Sequence, residues 1–402
     1  MKVLIMHTDL RVYWKRRIYF LRDFLQAHGI ELYAVELFGK GSPYDFEPYS
    51  HTENWWDCLF PKKSFGQLSQ IKIKRAVFKK LKKINPDVII AGSIVFSSGA
   101  LGLRWAKRHK KKFIMFDDAK PSRVKRNAFI QSIKTLITKQ VDAFWFPSDD
   151  YDEEWGALYN KEEYHFFYGF DCIDNDLFKP KGEKKLDNGK IVCVSRLVEK
   201  KNIPVLLESW KLIEQNNDFY KLSIVGDGPM LNRLKELAKS LGLKRVEFTG
   251  AVANEQLPKY LQDADAFILP SLDESWGLVV NEAMAAGLPV LLTSKVNAAA
   301  TLLKDGVNGY FINVDNPTDM KLQLLVFINL PLSAKKQMSD SSLTIIGQMD
   351  FNYMGQQLLN ALKFLETQPP KPLKFLPHFI INLWYGQFNT SGWDKPEKSA
   401  LS

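Results

Sequence analysis

The chain has 402 residues, of which 46% are hydrophobic and 25% charged; that is more chain than one core normally supports and too apolar for disorder, so two globular domains are expected. Three widely spaced cysteines, Cys58, Cys172 and Cys193, form no Cys-x-x-Cys pair, which argues against a disulfide framework or a cysteine zinc site and fits a reducing cytoplasm. The net charge of +10 is uneven: residues 1–180 hold 30 Lys/Arg against 22 Asp/Glu, residues 181–402 hold 25 against 23.

Short apolar runs alternate with helix-length amphipathic stretches to about residue 350, the pattern of parallel α/β sheets. Lys2–Met6 opens the series; interrupted at once by His7, Asp9 and Arg11, it is too short for the apolar region of a signal peptide and is expected as a buried first strand. Further strands are expected at Glu31–Leu37, Asp87–Ala91, Phe113–Phe116 and Ala143–Pro147, with helices at Arg17–His28, Ile71–Ile84, Ser98–Arg108 and Asn127–Thr138. These form one doubly wound domain over 1–180. Between Pro61 and Lys83 lie nine Lys/Arg and no acidic residue. This block, from Lys62 to Lys83, is either a solvated helix face or a surface for anions such as the head groups of a membrane.

Residues 181–190 lack apolar periodicity and carry glycines and charges, so they are expected as a linker. A second alternation fills 191–350, with strands at Ile191–Val194, Lys221–Val225, Val246–Thr249, Ala266–Leu269 and Pro289–Leu292 and helices near Pro204–Glu214, Met230–Ser240, Gln256–Gln262 and Val279–Ala286. Residues 351–402 are expected to add one amphipathic helix at Asn352–Leu365, ended by the prolines after Gln368, and an aromatic tail over Phe375–Trp393 that packs back on the N-terminal domain, a reading preferred to a membrane-adsorbing segment. No window approaches the roughly 20 apolar residues that span a bilayer, so membrane contact is expected to be peripheral at most.

Chemistry concentrates where strands end, because ligands of open α/β sheets bind beyond the carboxyl ends of strands. Arg196 and Lys201 follow the strand ending at Val194 and are suited to phosphate oxygens, one as a planar fork and one as a compact charge. Gly226, in Val225-Gly226-Asp227-Gly228-Pro229, lets backbone approach a ligand before a helix. In Asp273-Glu274-Ser275-Trp276-Gly277-Leu278, Glu274 lies in a post-strand loop and Gly277 opens a helix that carries Glu282 among alanines. A carboxylate there needs partners, and sugar or ribose hydroxyls can donate to it.

The ordered set Ser195-Arg196-Leu197…Lys201, Val225-Gly226-Asp227-Gly228-Pro229, Ala264-Asp265-Ala266-Phe267-Ile268-Leu269-Pro270-Ser271 and Glu274-Ser275-Trp276-Gly277-Leu278…Glu282-Ala283 resembles the donor-binding half of the family 4 glycosyltransferases over 195–316. The resemblance implies the GT-B architecture: α/β, two Rossmann-like doubly wound domains facing a central cleft. It implies a cytoplasmic, retaining hexosyltransferase that uses a nucleotide diphosphate sugar and a glycan or lipid-linked glycan acceptor, without a metal or other cofactor. By position, Arg196 and Lys201 would hold the donor diphosphate and Glu274 the transferred sugar. Ser275, Trp276, Gly277 and Leu278 would lie near the phosphates, Glu282 at the ribose, and Gly226 against the donor. Asp263-Ala264-Asp265 precedes its strand and is not read as a metal motif.

The chain departs from the family pattern in a glycine-free first loop, His7 to Tyr13, and at Asn297-Ala298-Ala299-Ala300-Thr301, where an acidic residue is common. Both put donor contacts in question. They keep open a catalytically silent partner in a glycan-assembly complex, whereas a nucleotide-sugar epimerase fits the Arg196, Lys201, Glu274 and Glu282 set less well. His7, Asp117 and Asp118 are acceptor-side candidates, although a cap or a structural histidine accounts for them equally. The remaining histidines form no ligand cluster in the sequence, and no nucleic-acid recognition module is present despite the basic charge.

Overall fold

The computed structural model describes residues 1–11, 13–41, 53–123, 128–159, 163–314, 316–369, 371 and 375–386. Val12, Asn127 and the part of the aromatic tail beyond 386 lie outside the described residues. The chain forms two units, Met1–Asp171 with the segment from Phe351, and Cys172–Asp350.

The first unit is built on a parallel sheet of seven strands: β1 Lys2–His7, β2 Glu31–Phe38, β3 Trp56–Phe60, β4 Val88–Ala91, β5 Lys112–Phe116, β6 Ala143–Trp145 and β7 His165–Phe167, in the order β3-β2-β1-β4-β5-β6-β7. The central strands are apolar on both faces and buried except at their end residues Lys2, His7 and Lys112, as a sheet covered on both sides requires. Two strands were not expected from the sequence. β3 is half-buried along most of its length and β7 has three residues, so neither carries a long apolar run.

Helices fill the crossovers. Gln70–Ile84 starts at Ser69, whose hydroxyl accepts from the Lys72 amide at 3.4 Å, and ends at Asn85 in the left-handed region. Ile73, Val77, Leu81 and Ile84 face the sheet, and Lys82 and Lys83 sit in the last turn, where cations favour the helix dipole. Helix Phe351–Thr367 returns to this unit: Phe351 meets Phe20, with ring centroids 5.2 Å apart, and Phe364 stacks on His165 at 4.4 Å.

The second unit is a six-stranded parallel sheet: β8 Lys190–Val194, β9 Lys221–Val225, β10 Val246–Gly250, β11 Ala266–Leu269, β12 Val290–Leu292 and β13 Gly309–Phe311, ordered β10-β9-β8-β11-β12-β13. Trp210, Leu222, Ile224 and Phe327 are fully buried in one of its cores. Helices Pro317–Ile328 and Leu332–Ile346 were not resolved as elements from the sequence. In the first of them Leu322 and Val326 stay exposed, which blurs the apolar period.

Residues 181–190 lie within this unit and do not link two bodies. Lys184 is buried and its ammonium donates to the carbonyls of Leu261, Gln262 and Ala264. Asp265 accepts from the backbone amides of Asn188, Gly189 and Lys190 at 2.8–3.3 Å. Composition pointed to a loop because, Leu186 apart, its buried groups are a lysine and backbone amides, which look solvated in a sequence.

Candidate active site

In the second unit the strand order reverses at β8: the chain moves outward through β9 and β10, then returns to β11 on the other side of β8. Such a reversal opens a crevice at the carboxyl ends of the two strands. Arg196 and Lys201 follow β8 and Glu274 follows β11, so all three stand at that crevice.

Lys201 ends a short turn, Glu199–Lys201, after which Asn202 takes φ 56° and helix Ile203–Glu214 begins with Pro204 in its first turn. The Lys201 ammonium donates to both carboxylate oxygens of Glu274, at 2.7 and 2.5 Å. Both side chains are largely buried, 9% and 15% exposed. The backbones are joined as well, the Leu272 amide donating to the Lys200 carbonyl at 2.8 Å. Arg196 is half-buried at the mouth of the same loop.

The Glu274 loop is held from its other side by the segment after β12. Glu274 bridges to Val296, and its amide donates to the Lys295 carbonyl at 3.2 Å. The Asn297 amide donates to the Glu274 carbonyl, the Ala298 amide to the Trp276 carbonyl, and the Asn297 side chain to the Ser275 carbonyl at 2.7 Å. The stretch from Asn297 to Thr301, read from the sequence as a departure from the family pattern, is thus what positions Ser275 and Glu274. Sequence reasoning missed this support; an asparagine opening an alanine-rich helix is the signal that was there to use.

Trp276 is 2% exposed, and its indole donates to Asn281 at 2.9 Å, so the side chain anchors the loop in the core. Gly277 takes φ 100°, a left-handed conformation that glycine adopts without strain, and helix Leu278–Ala285 starts from it. Its first amides lack partners within the helix. One turn on, Glu282 is 2% exposed, Oε2 has no hydrogen-bond partner, and burial pushes the carboxyl up to about 8.

Gly226 follows β9, with φ 137°. A Cβ there would lie 1.9 Å from the Ser195 carbonyl oxygen. The loops after β8 and β9 are therefore in contact through backbone alone, tied by the Leu197 amide donating to the Asp227 carbonyl at 2.9 Å.

In the first unit, His7 ends β1 and Asp117 follows β5, both at the carboxyl edge of the sheet. The His7 ring stacks on Phe116 with centroids 5.5 Å apart, Nδ1 lies 2.7 Å from the Asp9 carbonyl, and burial lowers its pKa. In the glycine-free loop Asp9 holds Arg11 at 2.7 and 2.9 Å, a fork that fixes the turn by side chains. Asp117 accepts from the Ala119 amide at 3.0 Å as a turn cap, and the Asp118 carbonyl accepts from the Tyr151 hydroxyl at 2.8 Å.

Residues 174–344 match the family described as glycosyl transferases group 1. This segment belongs to that family. The relatives agree: an uncharacterized glycosyltransferase of Methanocaldococcus jannaschii is 38% identical over 133 residues, 33% of this chain and 33% of the relative. A GDP-mannose-dependent alpha-(1-6)-phosphatidylinositol monomannoside mannosyltransferase of Mycobacterium tuberculosis is 34% identical over 173 residues, 38% of this chain and 45% of the relative. This chain thus spans between a third and a half of these relatives. Among solved structures, Anabaena HepE in complex with UDP superposes with a TM-score of 0.71 at 17% identity, covering 90% of this chain and 100% of HepE. The group 1 glycosyltransferase domain therefore sits in a chain with the two-sheet GT-B fold.

Proposed function

We propose that the chain is a retaining glycosyltransferase that moves a hexose from a nucleotide diphosphate sugar to a hydroxyl of a glycan or lipid-linked glycan. The observation that carries the reading is the Lys201–Glu274 pair, set across the β8/β11 crevice at 2.7 and 2.5 Å. An ammonium has three donors and a carboxylate several acceptor sites, so neither group is exhausted by the other. Lys201 keeps capacity for a phosphate oxygen and Glu274 for sugar hydroxyls.

As the bond from the anomeric carbon to the diphosphate breaks, negative charge grows on the leaving group. Arg196 and Lys201 stabilise it, and stabilisation that strengthens as charge develops lowers the barrier. The acceptor oxygen bonds to the anomeric carbon on the face the diphosphate leaves, and its proton passes to a departing phosphate oxygen. Configuration is retained without the nucleophile and separate acid of retaining glycosidases. The two cations do the charge work that a metal does elsewhere. Amides from Ser275 to Leu278 face the phosphates, Gly226 lets the donor lie on backbone, and the Oε2 of Glu282 takes ribose hydroxyls. His7, Asp117 and Asp118 serve the acceptor side.

Support for a nucleotide donor also comes from HepE, whose solved structure holds UDP, and from the mycobacterial relative, whose name specifies GDP-mannose. Thermal scanning with UDP, GDP and ADP tests the reading. One diphosphate should raise the melting temperature of the wild-type chain and leave Lys201→Ala and Glu282→Ala much less shifted. No shift with any of the three would count against a nucleotide-sugar donor.

A further inference from the structure

The helices after β3, β4 and β5 of the first unit lie on one face of its sheet, since right-handed crossovers between parallel strands moving in one direction leave their helices on one side. They form a continuous layer: Gln70–Ile84 packs on Ser97–Arg108, which lies under Phe375–Leu383, which in turn touches Ala128–Thr138. The last segment is fastened there. Trp384 donates its indole N–H to the Ile94 carbonyl at 2.7 Å, Ser97 its hydroxyl to the Gly386 carbonyl at 2.9 Å, and Arg104 lies 5.4 Å from the Tyr385 ring centre.

Two features of this layer are unlike an ordinary solvated surface. Helix Phe375–Leu383 has nine residues and no charge; it buries Pro377 and Ile381, while Phe375, Leu376, Phe379 and Leu383 are 55–89% exposed. Ile130 on the neighbouring helix is 46% exposed. The described residues of the segments that build the layer, 61–86, 97–112, 119–123, 128–141, 371 and 375–386, together hold 20 Lys/Arg and no Asp/Glu. Strand-end carboxylates pair with a few of them, Asp57 with Lys80, Asp142 with Lys107 and Asp87 with Lys111. The bias extends to the whole unit: residues 1–171 and 351–393 carry 32 Lys/Arg against 21 Asp/Glu, which exceeds the net charge of the entire chain.

Exposed large apolar side chains within a field of one sign match an interface that is apolar at depth and anionic at its surface. We propose that this helical face adsorbs to a bilayer containing anionic lipids, with Phe375, Leu376, Phe379 and Leu383 seated among the acyl chains. Lysines such as Lys79, Lys82 and Lys83 then meet the headgroups. Among the described residues no helix is long and apolar enough to cross a membrane; the contact proposed is adsorption of this face. The inference is independent of the reaction proposed for the second unit, because its test reads binding and not turnover.

Flotation of the full chain with vesicles of phosphatidylcholine alone, or with about 30% phosphatidylglycerol, tests it. The wild-type chain should float with the anionic vesicles and remain below with the neutral ones. Phe375→Ser/Phe379→Ser should reduce the floated fraction roughly tenfold at an unchanged circular dichroism spectrum. Lys79→Glu/Lys83→Glu should weaken binding most at low salt, as expected for screened surface charge. Failure to float with anionic vesicles would overturn the proposal, and so would binding that the apolar double variant leaves intact. A concentration-dependent dimer in light scattering that the same double variant abolishes would assign the face to a second copy. Binding to an RNA homopolymer that is insensitive to Phe375→Ser/Phe379→Ser, in place of vesicle binding, would assign it to a polyanion.

Discussion

Lys201 and Glu274 are 73 residues apart in the chain, yet the ammonium of one lies 2.7 and 2.5 Å from the two carboxylate oxygens of the other. The pairing exists because β11 lies next to β8, with β9 and β10 displaced to the far side. It puts a cation and a carboxylate at one crevice, the pairing that the proposed diphosphate and sugar-hydroxyl contacts call for.

Removing either partner should cost catalysis more than folding. Lys201→Ala is expected to lower turnover of the donor by about 10²-fold or more, the scale of losing one preorganised charge-stabilising donor. Glu274→Gln, which keeps shape and hydrogen-bonding capacity, should lose less than Glu274→Ala. Initial rates of nucleoside diphosphate release check the order; equal losses for the two Glu274 variants would contradict hydroxyl recognition by this side chain.

Glu282 predicts a pH signature. Burial raises its carboxyl from the ordinary 4.5 to about 8, so the folded chain holds a proton that the unfolded chain has released. Between those values the folded state binds more protons, and stability falls as pH rises. Glu282→Gln should remove that fall, so the stability gap in favour of the variant grows from about pH 5 to pH 8 and then levels. Denaturation midpoints across this range measure it. Nucleotide binding at pH 7 should also release a proton, because ribose hydroxyls donating to the carboxyl oxygens favour the ionised form; calorimetry in buffers of different ionisation enthalpy reads this directly.

Gly226→Ala places a methyl group where the Ser195 carbonyl oxygen is only 1.9 Å away. The expected loss is on the order of 3 kcal/mol, from steric displacement and backbone strain together. Gly242→Ala is the control: Gly242 has φ 73° but nothing within 4 Å of the added carbon, so it should lose about 1 kcal/mol. Urea midpoints at an unchanged slope compare the two.

Asn297 holds the backbone of the site with its side-chain amide. Asn297→Ala removes the bond to the Ser275 carbonyl and frees the loop that carries Glu274. Turnover should fall roughly tenfold from misplacement, with a much smaller change in melting temperature. If Asn297→Asp, which cannot donate to that carbonyl, keeps wild-type turnover, the positioning role is wrong.

The fold was legible in the sequence where strands are long and apolar, as at Lys2–Met6 and Lys221–Val225, because a strand buried on both faces needs a continuous apolar run. β7 and β13 are no shorter than β6 and β12, but they open on His165 and Gly309 and so lack the uninterrupted apolar run that marked the other two. Lys184 and Asp265 made an ordered segment look like a linker, since burial of a lysine against carbonyls leaves no mark in composition. The positions of Arg196, Lys201 and Glu274 after strands could be read. That Lys201 and Glu274 meet could not, because strand order is a property of the packed sheet. The outward face of Phe375–Leu383 was likewise hidden in a segment whose aromatics all look like core until the helices beneath it show that Pro377 and Ile381 point inward and Phe375 and Phe379 outward.

The most direct measurement is turnover. The purified chain is given UDP-, GDP- and ADP-hexoses in turn, with EDTA and a hydroxyl acceptor, and the released nucleoside diphosphate and the anomeric configuration of the product are recorded. The account predicts release from one donor class, a product of the donor's configuration, and loss of both in Arg196→Ala and Lys201→Ala. Nucleotide binding without release from any donor would contradict it, as would a product of inverted configuration.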